Sequence, residues 1–492
     1  MTKFQPITFY GADARRAKHR TPPIGYRLMP FRFSELDRER FVLSNLAGEY
    51  LVLPKSDVYA FSEHRLEDST NAYVDLRAHH FLTDANTDIA GELLAIKVRT
   101  RFARLANFTA LHIFVVTLRC EHSCPYCQVS RQSEDSDAFD MTIEQADAAI
   151  DLALRSPSET IKIEFQGGEP LLNFPLVKHI VFEAKRKAAG RKKLGFVIAT
   201  NLAVVTDEIL DFCREEDVQI STSLDGPEDL HNKNRPRVGK DSHQRTISGI
   251  QRARDALGKQ NVSALMTTTE ASLSQVKQIV DEYLAHDFNG IFLRPLSPYG
   301  FAIKTKSYRA YGVERWLDFY KEGLGYIIDL NRQGIAFREF YAATVLKKML
   351  TFDDPGYVDL MSPAGAGLGA IVYNYDGVVF ASDEARMLAE MGDDKFRLGH
   401  VLKNSFEEIF LNETLLQALE DSFSYSVPMC TDCAFEPYCG ADPVHHWGLH
   451  KDFVGRKTES EFCKRNMSIF KHLISLMESD EYVKRLFTSW AQ

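Results

Sequence analysis

Between about Ala110 and Arg332 the chain alternates short apolar runs with longer amphipathic ones. The apolar runs Leu111–Leu118, Ile161–Phe165, Leu194–Ala199, Val218–Leu224, Val262–Thr267 and Gly290–Leu293 predict strands. The stretches Thr142–Leu154, Phe174–Lys187, Thr206–Glu215, Thr246–Leu257, Ser272–Ala285 and Glu314–Asn331 repeat apolar residues at helical spacing and predict helices. Two of these helices open with capping-box signals, Thr142 with Gln145 and Ser272 with Gln275. Regular strand–helix alternation predicts a parallel sheet covered by helices. Six units are too few for a closed eightfold barrel and suit an α/β fold built as an open, partial (β/α)6 barrel. In such sheets the chemistry sits at the carboxyl ends of the strands.

The flanking regions follow other patterns. Residues 1–105 predict a small α+β domain: strands at Phe41–Ser44 and Glu49–Leu53 around an Asn45–Gly48 turn, then helical stretches including Gly91–Leu105. From about residue 341 the alternation stops and a C-terminal part, residues 341–492, begins. Its clearest element is a hairpin over Ile371–Phe380 turning at Asp376-Gly377.

Composition narrows the class. The 492 residues are 45% hydrophobic and 26% charged, as in a folded globular protein. A net charge of -9 and a pI near 6.0 argue against nucleic acid as a partner, and the basic run Lys185–Lys193 reads as a solvated helix end. No apolar run is long enough to span a membrane, and the N-terminal stretch Met1–Arg20 lacks the apolar core of a signal peptide, so the expected location is the cytoplasm. Thiols stay reduced there. Seven of the eight cysteines fall in two tight groups, which in a reducing compartment points to metal. Cys213 stands alone in a helical pattern and reads as a small buried apolar residue.

The first group is Cys120, Cys124 and Cys127, directly after the first predicted strand. Three thiols on one loop can hold one side of an iron-sulfur cubane and leave one iron for a ligand that the protein does not supply. At the next strand ends stand Gln166-Gly167-Gly168-Glu169-Pro170, then Thr200-Asn201, then Ser223-Leu224-Asp225-Gly226-Pro227. Each alone reads as a polar turn; together, beside a three-Cys loop, they read as one binding edge. The second group, Cys430, Cys433, Cys439 and Cys463, offers four thiolates and a closed site that suits zinc or an iron-sulfur cluster equally. His445, His446 and His450 nearby read as ordinary histidines.

Over roughly residues 110–470 these motifs resemble the radical S-adenosylmethionine (SAM) superfamily, in particular its members with a SPASM-type C-terminal extension. The resemblance rests on the three-Cys loop, with the aromatic Tyr126 before its last thiol. It implies a [4Fe-4S] cluster on Cys120, Cys124 and Cys127 whose open iron takes S-adenosyl-L-methionine, cleaved on reduction to a 5′-deoxyadenosyl radical. It implies cofactor contacts from Tyr126, Gln166, Gly167, Gly168, Glu169, Pro170, Thr200, Ser223, Asp225 and Arg235. Full members carry two auxiliary clusters. Here Ser362-Pro363-Ala364-Gly365, Ser382 and Pro443 stand where thiols of the first are expected, so the resemblance implies one auxiliary [4Fe-4S] cluster, on Cys430, Cys433, Cys439 and Cys463. Asp383 stands where some relatives place a catalytic carboxylate.

Such enzymes commonly modify ribosomally made peptides, which implies a precursor peptide as substrate and a reductant such as flavodoxin or ferredoxin. Residues 1–105 faintly resemble the winged-helix-like peptide-recognition domains of these maturases. Pro30-Phe31-Arg32-Phe33-Ser34 and the single auxiliary set resemble the maturase of the His-Xaa-Ser system. Two alternatives stand beside this reading: an oxidase of protein Ser or Cys like the sulfatase maturases, and a zinc-stabilised binding scaffold. A three-thiol loop disfavours the scaffold, since structural zinc takes four ligands.

Overall fold

The computed structural model describes residues 25–84, 87, 89–305 and 310–492; the stretch Met1–Arg20 lies outside them. The chain divides into two compact units, residues 1–101 with 432–437, and residues 102–431 with 438–492. The predicted barrel and the C-terminal part, except for 432–437, therefore fall within one unit.

In the first unit β1 (Tyr26–Leu28) pairs antiparallel with β5 (Leu82–Asp84), and β2 (Phe31–Glu35), β3 (Arg40–Asn45) and β4 (Tyr50–Pro54) form an antiparallel sheet in that order. The two strands expected here are β3 and β4; β2 is an additional one. Gly48 closes the turn with φ +85, and its N–H donates to the Asn45 carbonyl at 3.1 Å. The helices Lys55–Ser62 and Asn71–Ala78 bury Val58, Phe61, Tyr73 and Leu76 in a core with Tyr26, Leu43 and Phe81. Removing these side chains from water is the main source of the unit's stability. The segment 432–437 belongs to this unit through a buried Arg32–Glu436 ion pair at 3.2 Å.

In the second unit β6 (Leu111–Thr117), β7 (Thr160–Gly167), β8 (Lys193–Thr200), β9 (Val218–Ser223) and β10 (Val262–Leu265) run parallel. Alternation decides the two faces. Ile161, Ile163 and Phe165 of β7 are fully buried, while Glu164 and Gln166 take the opposite face. The helix Ile143–Leu154 has the expected Thr142/Gln145 capping box.

Two expectations need correction. The stretch Gly290–Leu293 does not extend the sheet: only β11 (Gly290–Ile291) is a strand, and it pairs with β12 (Arg338–Glu339). Pro295 and Pro298 follow and lack the N–H that a ladder needs, while the buried Glu339 carboxylate accepts the Leu293 N–H at 3.1 Å. The second correction is at Ser272, whose capping box runs backwards to Thr269; the helix itself is Val276–Ala285. The hairpin forms as expected, from β13 (Ala370–Tyr373) and β14 (Val378–Phe380), with β15 (Arg397–His400) beyond. Unforeseen was that β13 pairs parallel with β6, giving one sheet in the order β10-β9-β8-β7-β6-β13-β14-β15. Cys213 is 1% exposed, as a lone apolar cysteine should be.

Candidate active site

The carboxyl ends of the parallel strands surround a cavity of about 260 Å³. Cys120, Cys124 and Cys127 line it together with Tyr126, Gln166, Gly167, Gly168, Thr200, Ser223, Arg235 and Asp383. The cysteine loop is held from several sides. The Ser123 N–H donates to the Pro236 carbonyl at 2.8 Å, the Phe301 N–H to the Cys127 carbonyl at 2.8 Å, and the Thr305 hydroxyl to the Pro125 carbonyl at 2.9 Å. Burial pushes the thiols of Cys120 and Cys124 upward, the latter to about 12, so a bound cation is what would ionise them.

Close backbone approach explains the paired glycines. A Cβ on Gly167 would lie 2.2 Å from the Thr117 carbonyl oxygen, and one on Gly168 2.3 Å from that of Arg119. What comes close is the chain's own backbone, where β6 passes into the cysteine loop; the Gly168 and Glu169 N–H groups donate to those same carbonyls at 2.9 and 2.7 Å.

Three of the expected cofactor residues stand behind the cavity wall. Pro170 is buried at the start of a short helical turn. Glu169 is fully buried and accepts from the Thr200 hydroxyl at 2.6 Å, the Asn201 N–H at 2.8 Å and the Leu171 N–H at 3.1 Å, tying the ends of β7 and β8 together. Burial, with the nearby Glu121 carboxylate, pushes its pKa up to about 8. Asp225, also fully buried, accepts from the Tyr126 hydroxyl at 2.6 Å and lies 3.2 Å from Arg235 Nε. The Arg235 guanidinium lies over the Tyr126 ring at 5.5 Å. Asp225 thus holds both side chains at the edge of the cavity.

Several residues that the sequence reading passed over complete the site. Glu164 lines the cavity beside Gln166, whose amide donates to it at 2.8 Å; the period-two alternation of β7 was the available signal. A polar chain runs from Asp225 to the cysteine loop. The Asp225 N–H donates to His231 Nδ1 at 3.3 Å, and burial keeps that imidazole neutral, so its Nε2–H donates to Ser242 at 3.1 Å. The Ser242 hydroxyl lies 2.8 Å from His122 Nε2, and His122 Nδ1 lies 3.0 Å from Glu121. Its members are distant in sequence and carry no local signature.

Asp383 opens the helix Asp383–Ala389 and pairs with the buried Arg386 at 2.8 Å. Next to it, Glu384 faces a second cavity of about 70 Å³ with Asp359, Asp442 and the aromatics Tyr341 and Tyr357. Burial and mutual repulsion push Glu384 up to about 8 and Asp442 up to about 7. Arg294 lines both cavities.

Ala364, Gly365, Ser382 and Pro443 converge on a space of about 10 Å³, room for one water at most. These are the positions where thiols of a first auxiliary cluster were expected and found missing; they do come together, without space or donors for a cluster. Of the C-terminal cysteines, Cys439 and Cys463 lie close enough that the charge of one opposes ionisation of the other, and Asn466 Nδ2 is 3.5 Å from Cys439 Sγ. His446 bonds the Asp442 carbonyl and the Ser460 hydroxyl and is buried, as an ordinary core histidine.

Residues 114–282 match the family model of the radical SAM superfamily. The chain carries a radical SAM domain. It is 31% identical over 189 residues to an uncharacterized protein of Methanocaldococcus jannaschii, covering 38% of this chain and spanning 62% of that protein's length. It is 23% identical over 335 residues to the cysteine-type anaerobic sulfatase-maturating enzyme of Clostridium perfringens, 65% of this chain and 84% of that one. The fold is similar to the solved structure of native anSMEcpe with bound AdoMet, with TM-score 0.60, 16% identity, 77% of this chain and 99% of that chain. It is also similar to Streptococcus suis SuiB bound to precursor peptide SuiA, with TM-score 0.54, 14% identity, 89% of this chain and 99% of that chain. The matched residues thus hold the cysteine loop, most of β6 and the parallel strands β7 to β10. Their donor set, three half-buried thiols lining one cavity, fits a cluster with one open iron. Among the described residues no helix is long and apolar enough to cross a membrane.

Proposed function

We propose that this enzyme is a radical SAM maturase acting on a ribosomally made peptide. One observation carries the reading: the three thiols, the polar strand ends and Asp383 share one cavity, and Arg294 joins that cavity to a second, acidic and aromatic one. Cys120, Cys124 and Cys127 would hold the [4Fe-4S] cluster, and Gln166, Gly167, Gly168, Thr200, Ser223 and Arg235 the SAM. When bound, these groups supply an electron and a carbon radical able to remove hydrogen from an unactivated carbon. The rest is the work of the chain. Asp225 fixes Tyr126 and Arg235, Glu169 locks two strand ends, and the packed wall keeps water from the reacting atoms.

In this reading Asp383, whose carboxylate Arg386 orients, is the group placed to take or hold a proton of the substrate, and the second cavity receives the peptide. Cys430, Cys433, Cys439 and Cys463 would hold the auxiliary [4Fe-4S] cluster, with flavodoxin or ferredoxin as electron donor. Residues 1–105 would recognise a leader segment by adding it as a strand to the edge of the β2-β3-β4 sheet, residues 106–340 form the partial barrel, and residues 341–492 the SPASM-like part. The His-Xaa-Ser system is the narrower candidate for the peptide. A second reading, oxidation of a protein Ser or Cys, is favoured by the 84% coverage of the C. perfringens enzyme. The filled space at Ser382 and Pro443 weighs against it.

Anaerobic reconstitution with iron and sulfide, followed by reduction in the presence of SAM, should yield 5′-deoxyadenosine. A protein that binds iron and sulfide yet forms none would refute the proposal. Incubation with peptides bearing His-Xaa-Ser repeats, against a sulfatase-derived peptide, separates the two readings by the mass change on each.

A further inference from the structure

Away from the cysteine cavity, two neighbouring helices bring together His243, Glu282 and His286. His243 is the second residue of the helix Ser242–Leu257; Glu282 lies near the end of Val276–Ala285, with His286 capping that helix. Glu282 and His286 are four residues apart and so share one helix face. The Nε2 atoms of His243 and His286 lie 2.7 and 3.1 Å from the same Glu282 oxygen, and one ligand atom of each residue falls within 4.8 Å of the other two.

The backbones of both histidines are fixed. Asn232 Oδ1 accepts the His243 N–H at 2.9 Å, and the Arg254 guanidinium donates to the His286 carbonyl. The three side chains are 15%, 17% and 27% exposed, so water reaches the centre of the group without the ligands being free to swing away.

We propose that these side chains bind one divalent transition-metal ion of the zinc class, with His243 and His286 as nitrogen ligands, Glu282 as oxygen ligand and water in the fourth place. Two nitrogens and one carboxylate oxygen are a known donor set for such ions. With metal–ligand bonds near 2.0–2.2 Å, tetrahedral ligand atoms stand about 3.4 Å apart, so each nitrogen–oxygen pair need open by only roughly half an ångström. The ion would pin the start of one helix to the end of the next. Ser242, one residue before His243, bonds His122 of the cysteine loop at 2.8 Å, so the pinned helix start supports that loop.

The test uses protein with its clusters reconstituted, so that the cysteines are occupied, stripped of loosely bound metal by a chelator and titrated with zinc chloride. Wild type should retain one zinc per chain beyond its iron and melt at a higher temperature with zinc than without. His243→Gln and Glu282→Gln, which keep hydrogen-bonding groups at both positions, should bind zinc at least tenfold more weakly and lose the melting shift while their iron content stays unchanged. Equal zinc affinity in wild type and both variants, or no zinc retained by wild type, overturns the proposal and leaves the triad an ion-paired contact only. If one variant fails to fold, the other decides.

Discussion

Adding one methyl group at Gly168 should disable the site, while adding one at Gly195 should not. The Cβ of an alanine at position 168 would stand 2.3 Å from the Arg119 carbonyl oxygen, 2.6 Å from that of Leu118 and 2.7 Å from the Arg119 carbonyl carbon. All three are backbone atoms, so no side-chain rotation relieves the contact. A carbon–oxygen contact normally sits near 3.3 Å, so the stretch leading to Cys120 must shift by about 1 Å. Overpacking of this kind costs about 1–3 kcal/mol, which in a chain of this size lowers the melting temperature by several degrees. The functional loss should be larger, because a misplacement of about 1 Å can cost roughly a hundredfold in rate. Gly195, in the same sheet, has no atom within 4 Å of its would-be Cβ. The assay compares Gly168→Ala and Gly195→Ala with wild type for iron content, melting temperature and 5′-deoxyadenosine formed per minute. A Gly168→Ala protein with wild-type values in all three would refute the steric account of the glycine pair.

Tyr126→Phe removes the 2.6 Å bond to a buried carboxylate and should cost about 1.5–3 kcal/mol, read as lower chemical stability and weaker SAM binding in equilibrium dialysis. Asp383→Asn should leave 5′-deoxyadenosine formation within a few-fold of wild type while product on the peptide falls at least tenfold; parallel loss of both would move Asp383 out of the proposed role. The Glu384 carboxyl, raised to about 8 in the folded state against about 4.5 unfolded, keeps its proton in the fold at pH values where the unfolded chain has lost it. Its contribution to stability is therefore fully present below pH 4.5 and lost as pH rises through 8. The depressed histidines His112 and His446 act oppositely, but only below about 6.5. Between pH 6.5 and 8 wild type should thus lose stability as pH rises, and Glu384→Gln should flatten that slope in denaturant titrations.

How much was legible depended on whether the signal was local. The parallel strands β6 to β10, the Thr142 cap and the hairpin around Gly377 each announce themselves within a dozen residues, through alternation or turn chemistry, and each forms where expected. The three-thiol loop was readable for the same reason: its donors are neighbours in sequence. Glu169 and Asp225 were recognisable as special, but their hold on Thr200 in one case and on Tyr126 and Arg235 in the other is visible only in the fold. The chain from His231 through Ser242 to Glu121 was beyond reach, because only the folded sheet brings those positions together. The pairing of β13 with β6 was hidden in the same way, and β11 was overcalled because apolar character alone does not reveal that Pro295 and Pro298 will end a ladder.

Arg294 stands in the wall of both cavities, with Tyr357, Glu384, Asp359 and Asp383 raising its basicity despite burial. A single guanidinium with two sets of neighbours would link their occupancies. Whatever binds on one side and draws the charge toward itself changes the free energy of binding on the other, and by reciprocity the factor is the same in both orders of addition. On the proposed reading, a peptide in one cavity would tighten or loosen the hold on a cofactor in the other as much as the cofactor does on the peptide, through one shared side chain.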